Sequence, residues 1–438
     1  MAEPVPALRR AIRLPHATAL VVGTIIGASI FVQPSEITAR VPSIPGVLLV
    51  WAAAGLITLV GALICAELAS TFTRSGGVYV YLREAYGPPI GFLWGWAMLW
   101  SMHTGIIAAI ATVFARYTAF FVPMGDAGLR LVAVGVIVVL SAVNYLGVKQ
   151  GGMVQNAFTA AKVVAIAALI VAGALGTGAP AAPAPAAAGA GAISETGFVR
   201  AMAAGLFAYG GWHMVTYAAC ETKDAARTIP RALLLGTLVV TACYAGLNAI
   251  YLRVLPLDAV RASTRVAADA ADVLLGGGGA SLMAVVVMVS TFGAVNGIVL
   301  VGPRVYYSMA RDGLLFGWLG AVHPRFGTPH RAIVVQAIWA SALAVTNTYG
   351  ALFSRVIYTE WIFFALMAAG LLRLRRRADY RASFRVPGGA LLPLGFIAAS
   401  LVVVALQITV SPRDSAIGLG MVLVGLPVYW VWSQFRRA

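Results

Sequence analysis

Apolar residues fill twelve long stretches of this sequence, near 15–38, 46–73, 88–121, 129–147, 153–175, 198–220, 232–252, 281–309, 332–348, 353–374, 390–410 and 415–434. Each is close to the ~20 residues that an α-helix needs to cross the hydrocarbon of a bilayer. Lipid offers the backbone no hydrogen-bond partners, so a spanning segment must satisfy its own, and a helix does so. The pattern therefore predicts an all-α integral membrane protein of about twelve transmembrane helices. Two stretches interrupt the apolar run with small residues. Gly23-Thr24-Ile25-Ile26-Gly27-Ala28-Ser29-Ile30-Phe31 lies in the first, and Phe207-Ala208-Tyr209-Gly210-Gly211-Trp212 lies in the sixth. Taken alone, the first reads as a glycine face for close helix packing. Recurrence five helices later favours a different reading, in which both helices break at mid-depth. The freed N–H and C=O groups must then line a cavity or hold a ligand.

Breaks at matching positions of successive five-helix halves are the mark of an inverted repeat. An odd number of helices per half sets the two halves in opposite orientations, so the breaks meet near the midplane. The organisation this predicts is a tail at 1–14, a first repeat at 15–175 and an outer loop at 176–197. A second repeat at 198–375, two peripheral helices at 390–434 and a tail at 435–438 follow. The loop from Gly178 to Ala192 is a low-complexity Pro/Ala/Gly run with no packed role.

Composition agrees with this picture: 61% of the 438 residues are hydrophobic and 11% charged, more apolar surface than a soluble domain hides. The net charge of +16 is an orientation signal and not a nucleic-acid footprint. With the N-terminus inside, twenty-one Lys and Arg residues fall at inner ends, among them Arg9, Arg74, Arg227 and Arg375, against eight at outer ends. That bias places both termini in the cytoplasm of a plasma or bacterial inner membrane. Arg9 to Arg13 before an apolar run resembles a signal peptide, but the run is too long and lacks a cleavage site. Cys65, Cys220 and Cys243 are odd in number and suggest neither a disulfide framework nor a metal site.

Few ionisable residues fall inside the spans. Lys162 is ten residues into the fifth, about 15 Å from its inner end, so its ammonium needs carbonyls or a carboxylate unless it snorkels inward. Glu360, in the outer half of the tenth span, reads either as a proton-linked group or gate, or as the partner of another polar group there. Glu67 is close enough to Arg74 to be a carboxylate snorkelling at the inner interface. His213, one turn past the second break, faces the cavity or bonds a backbone carbonyl, and Asn296 in the eighth span could face the site. The five histidines, 16, 103, 213, 323 and 330, form no metal-spaced set. No phosphate-binding Gly-Lys-Ser/Thr loop and no paired intramembrane carboxylates occur, which argues against ATP drive, a cofactor or enzymatic chemistry. Broken helices present positive N-terminal ends and negative C-terminal ends side by side, and an α-amino acid zwitterion fits those two poles.

Gly23 to Phe31 resembles the G-x-I-I-G-S-G-I-F signature of the amino acid–polyamine–organocation superfamily, and Phe207 to Trp212 resembles a segment of its L-type amino acid transporter branch. Ala66-Glu67-Leu68, Ser75-Gly76-Gly77, Ile229-Pro230-Arg231-Ala232, Phe292-Gly293 with Asn296-Gly297, Ala310 to Gly313 and Phe384 to Gly388 extend the resemblance along the chain in order. The resemblance implies sodium-independent transport of neutral L-amino acids by alternating access, as exchange or proton symport. A transporter of amines or polyamines is the alternative, weakened by the lack of a carboxylate in either break. It further implies that the backbone of Gly27, Ala28 and Ser29, next to Thr24, receives the substrate carboxylate. Carbonyls near Ile25, Phe207 and Ala208, with Tyr209 and Gly210 in the same break, would take the amine. Phe207 would gate the site, and the Lys162 ammonium would occupy the place of a sodium ion in sodium-coupled relatives. Two departures stand out. Ala28-Ser29 replaces Ser-Gly, which narrows the floor of the site, and Val78 replaces an acidic residue of an inner gate. The loop Pro123 to Gly128 lacks the cysteine by which animal members join a heavy chain, so no disulfide-linked partner is expected.

Overall fold

The computed structural model describes residues 8, 10–176, 194–346 and 349–435, with backbone alone at 349–358 and 435. Twelve helical passes follow one another in the order the apolar stretches predict. Eight are continuous helical runs long and apolar enough to span: Ile44–Thr71, Pro88–Phe121, Asp126–Tyr145, Val148–Leu175, Ala225–Val254, Gly279–Arg311, Leu391–Val410 and Pro412–Gln434. These are spans two to five, seven, eight, eleven and twelve. The first span is a bent pair, Leu14–Ile25 and Ser29–Arg40, whose axes differ by 43°. The sixth runs as Glu195–Ala208 and resumes after a break as the 3₁₀ helix Trp212–Glu221. His330–Thr346 and Tyr349–Leu374 are the ninth and tenth.

Local chemistry explains where the elements start and stop. Ser43 opens the second span with its hydroxyl accepting from Gly46 N at 3.2 Å, and Ser194 opens the sixth in the same way on Gly197 N at 3.0 Å. The third span carries a π-helical segment, Met98–Met102, just before the turn that meets the cavity. Such an insertion rotates the following residues and frequently sits at functional sites.

The two broken spans lie antiparallel: the first half of span one packs against the 3₁₀ half of span six, and Ser29–Arg40 packs against Glu195–Ala208. Span seven packs along spans one and two, while span eight runs between three, four and five. Their interdigitation buries aromatics such as Trp51, Trp94, Tyr244 and Tyr306 to near zero exposure. Three short α-helices among the described residues fall outside the predicted spans. Val78–Tyr86 is a helix with Val78–Leu82 buried. Leu257–Ala262 and Val266–Leu275 connect spans seven and eight and pack against Ser29–Arg40.

Candidate functional site

The first break exposes backbone at one side of a small cavity. Gly27 N donates to Ile25 O at 2.9 Å and Phe31 N to Ala28 O at 3.1 Å. The N–H groups of Ala28, Ser29 and Ile30, at the start of the second half-helix, have no acceptor among the described residues. Such a row of free donors, at the positive end of a helix, suits an anionic group. Gly27 therefore does not supply the free donor expected of it, and Ile30 adds one. Ser29, which stands in the place of the glycine, opens a right-handed helix and has no positive φ, so a residue with a Cβ fits here without strain. Gly23 serves close packing instead: a Cβ there would lie 1.8 Å from Gln155 Nε2 and 2.6 Å from Thr159 Oγ1.

At the second break, Gly210 N bonds Phe207 O at 2.9 Å, and Gly211 turns the chain at φ +99°. A Cβ at Gly211 would lie 2.8 Å from Thr24 O. Glycine is thus required twice over, by dihedral and by the approach of the two backbones. The Tyr244 hydroxyl, from span seven, lies 3.1 Å from Ile25 O and 2.9 Å from Ala208 O, tying one broken end to the other. Ala208 O keeps a lone pair for a second donor, whereas Ile25 O already accepts Gly27 N as well.

Lys162 is fully buried. Its Nζ lies 2.6 Å from Ile26 O, 2.9 Å from Ser290 O and 3.3 Å from Gly23 O, three acceptors for three ammonium protons. Ser290 Oγ adds contacts to Ile26 O at 3.2 Å and Gly27 O at 3.0 Å. A cation thus binds the first half-helix at its negative C-terminal end, as the sequence leads one to expect.

The cavity between the breaks is lined by Thr24, Ile25, Gly27, Ala28, Ser29, Phe207, Gly210, Gly211, Trp212 and Glu360, among others. It offers about 50 Å³ to the centres of water-sized molecules, room for a few waters or one small solute at ~10–15 Å³ per water. Its wall is apolar apart from the backbone of the breaks, Thr24, Ser29 and Glu360. The Thr24 hydroxyl is already engaged, 2.7 Å from Leu20 O and 3.1 Å from Gly211 O.

A sequence model of the family described as "Amino acid permease" matches residues 12–432. The chain belongs to that family. It is 34% identical to the serine/threonine exchanger SteT of Bacillus subtilis, over 97% of each chain. It is also 31% identical to the human b(0,+)-type amino acid transporter 1, over 98% of this chain and 89% of that one. Identity to the human large neutral amino acids transporter small subunit 2 is 32%, over 98% and 82%. The protein is a multi-pass transporter and not an enzyme.

Four expected binding residues of this permease do not line the cavity. Asn296 points away, donating to Gly151 O and Gln155 Oε1 at 3.0 Å each and accepting from Asn144 Nδ2 at 2.9 Å. A buried carboxamide was bound to find partners, and it found them between spans four, five and eight. Tyr209 turns its hydroxyl toward Trp51 O at 3.3 Å, and Ala208 meets Tyr244. His213 stands behind the wall, its ring among Trp94, Trp212, Tyr217 and Phe364, with neither nitrogen hydrogen-bonded. Its Nε2 is 3.6 Å from Glu360 Oε1. Sequence reasoning missed the far wall, formed by Gly105, Ile106, Ala109 and Ile110 of span three and Trp361 and Phe364 of span ten. The small-residue pair Gly105 and Ala109, one turn apart, was the available signal.

The end of the permease that carries both termini is latched. Glu221 and Arg304, fully buried, form a two-pronged pair at 2.6 and 3.0 Å between spans six and eight. Asp312 collects Arg74 at 2.7 Å, Tyr79 Oη at 2.8 Å and Arg83. Burial, and then the Asp312 carboxylate, push the Tyr79 phenol above its ordinary range, so it stays a donor. These contacts supply the ion pairs that Val78 in place of an acid appeared to remove. Glu67 does not pair with Arg74: it holds Arg375 at 2.8 and 2.5 Å and accepts Val386 N at 2.7 Å. At the same end, Ile12 bridges to the end of span six, with Lys223 N bonding Ile12 O at 2.8 Å.

Proposed function

We propose that this permease carries small neutral L-amino acids without sodium, by alternating access, as an exchanger or with protons. The observation that carries the reading is the Lys162 ammonium held by three carbonyls beside the first break. A fixed cation there removes the need for a diffusible one. The free N–H groups of Ala28, Ser29 and Ile30 suit a substrate carboxylate. The backbone carbonyls at the broken ends that line the cavity, those of Ile25 and Phe207, suit its ammonium. Phe207, half-buried in the cavity wall, is placed to gate the site. The small, mostly apolar cavity favours a small neutral side chain, and the relatives named for serine/threonine exchange and for large neutral amino acids support a neutral substrate. The basic residues at the end bearing the termini support an inner-membrane location with both termini cytoplasmic. We infer that it works without a disulfide-linked heavy chain, since the loop Pro123 to Gly128 holds no cysteine.

A ligand that binds only the folded state raises its stability by RT ln(1 + [L]/Kd), about 2.7 kcal/mol at a hundred times Kd. Thermal unfolding of the purified permease should shift upward with L-serine, L-alanine or L-threonine in sodium-free buffer. It should not shift with their D-forms or with putrescine. A shift with the amine alone, or one that requires sodium, would overturn the reading.

A further inference from the structure

Glu360 is 6% exposed and lines the cavity, yet its Oε1 has no hydrogen-bond donor. The basic group that faces it is His213, 3.6 Å away, whose two ring nitrogens are likewise unbonded. Among the described residues, the surroundings hold no other cation for it. Span six adds Tyr217, whose ring is 5.5 Å from that of His213, and span three adds Trp94 at 5.8 Å and, beyond Tyr217, His103. His103 is occupied with the Tyr306 hydroxyl at 3.1 Å. Span two brings Cys65 at this depth and Glu67 near its inner end, the latter bound to Arg375. Span eleven has no ionisable residue, and the helix Pro412–Leu423 carries only Arg413 and Asp414, in its first turn. The helix Val78–Tyr86 meets span ten further toward its inner end, where Tyr86 Oη bonds Leu366 O at 2.9 Å. The Lys162 ammonium is fully engaged by its three carbonyls.

A lone carboxylate in a dry site at membrane depth is costly, and its charge must be met by a cation or removed by a proton. On the reading above, the substrate spends both its charges on the broken helices and leaves none for Glu360. Water filling the empty cavity can solvate the carboxylate. A substrate that enters displaces that water, and the remaining way to neutralise the pair is one proton shared between Glu360 and His213. We propose that Glu360 and His213 form a proton-carrying site, which takes up one proton with each amino acid and releases it when the cavity opens on the other side. The proton comes from the aqueous phase that supplies the substrate and leaves to the phase that receives it. The empty carrier returns with water in the cavity and the pair deprotonated, so the cycle moves one substrate and one proton together. By linkage, protons then strengthen substrate binding to the same degree that substrate strengthens proton binding. The proposal rests on amino acid transport being the activity, and the test separates the two.

The purified protein is reconstituted into sodium-free proteoliposomes, and uptake of labelled L-serine is measured into empty vesicles, with and without an inward proton gradient, and into serine-loaded vesicles at equal pH. The wild type should show gradient-driven accumulation several-fold above the equal-pH level, abolished by a protonophore. Glu360→Gln should lose this stimulation and still exchange serine at a measurable rate, which also reports that it has folded. His213→Gln, behind the wall, should shift the pH at which uptake is half-maximal. Full gradient stimulation in Glu360→Gln, or none in a wild type that exchanges, would overturn the proton site and leave the transport reading standing. No serine movement of any kind by the wild type would overturn the reading beneath it, and the proton site with it.

Discussion

Lys162 makes the strongest claim that any one residue makes here. Its ammonium satisfies the carbonyls of Gly23, Ile26 and Ser290 at a point where the first helix has no N–H groups to offer. Lys162→Ala removes the ammonium from those buried acceptors, of which Ile26 O keeps the Ser290 hydroxyl, at a cost of about 1–3 kcal/mol for an acceptor left unpaired. We expect this variant to reach the membrane, to unfold several degrees lower and to lose exchange, as read by thermal unfolding beside transport. Full exchange in Lys162→Ala would remove the residue from the mechanism. Tyr244→Phe is a milder case: it deletes the hydroxyl that joins Ile25 O to Ala208 O. A loss of about 1 kcal/mol in stability is expected, together with a lower exchange rate. Gly211→Ala meets both a positive φ and the Thr24 carbonyl. It should fail in stability and in transport together, where Gly27→Ala, whose nearest neighbour for a Cβ is 3.6 Å away, keeps its fold.

Among the elements, the long helices and their breaks were legible in the sequence, because a span must be continuously apolar and a break needs small residues. The depth of Lys162 followed from counting residues along a helix. Three kinds of feature were not legible. The short helices Val78–Tyr86, Leu257–Ala262 and Val266–Leu275 have too few residues for apolar length to mark them, though buried Val266, Ala267, Ala270, Ala271 and Leu274 repeat with helical spacing. The direction of Asn296 depended on which neighbours a helix rotation brought within reach, and Gln155 and Asn144 lie on two other spans. Tyr244 looked like one of many tyrosines, since nothing local marks a hydroxyl that bonds two distant breaks. The pair between Glu221 and Arg304 was likewise invisible, with 83 residues between its partners. It now gives a prediction at this scale. Glu221→Gln leaves the Arg304 charge buried without its counter-ion, a loss of ~3–5 kcal/mol in the latched state. The end that carries both termini should then open more often. Cys220, one residue away and half-buried where Cys65 and Cys243 are buried, is the natural reporter. Its reaction with a water-soluble maleimide should be several-fold faster in Glu221→Gln. Equal rates would mean that the pair does not hold that end closed.

For the whole molecule, the architecture divides the work between two sets of helices. Spans one and six carry the breaks, pack antiparallel and are tied together by Tyr244 from span seven. Spans three and eight face them across the cavity, and span eight meets span six again at the Glu221–Arg304 latch. Movement of the broken pair against that scaffold must part the latch and reshape the contact of Lys162 with Ser290, which lies on span eight. On the function proposed above, a lysine at this junction would let the cycle turn without binding a metal ion from solution. The most direct measurement is uptake of labelled L-amino acids into loaded proteoliposomes, run in parallel in sodium and in choline or potassium media. The account predicts uptake of small neutral L-amino acids at equal rates in all three media. Uptake that needs sodium, or no uptake of any amino acid, would contradict it.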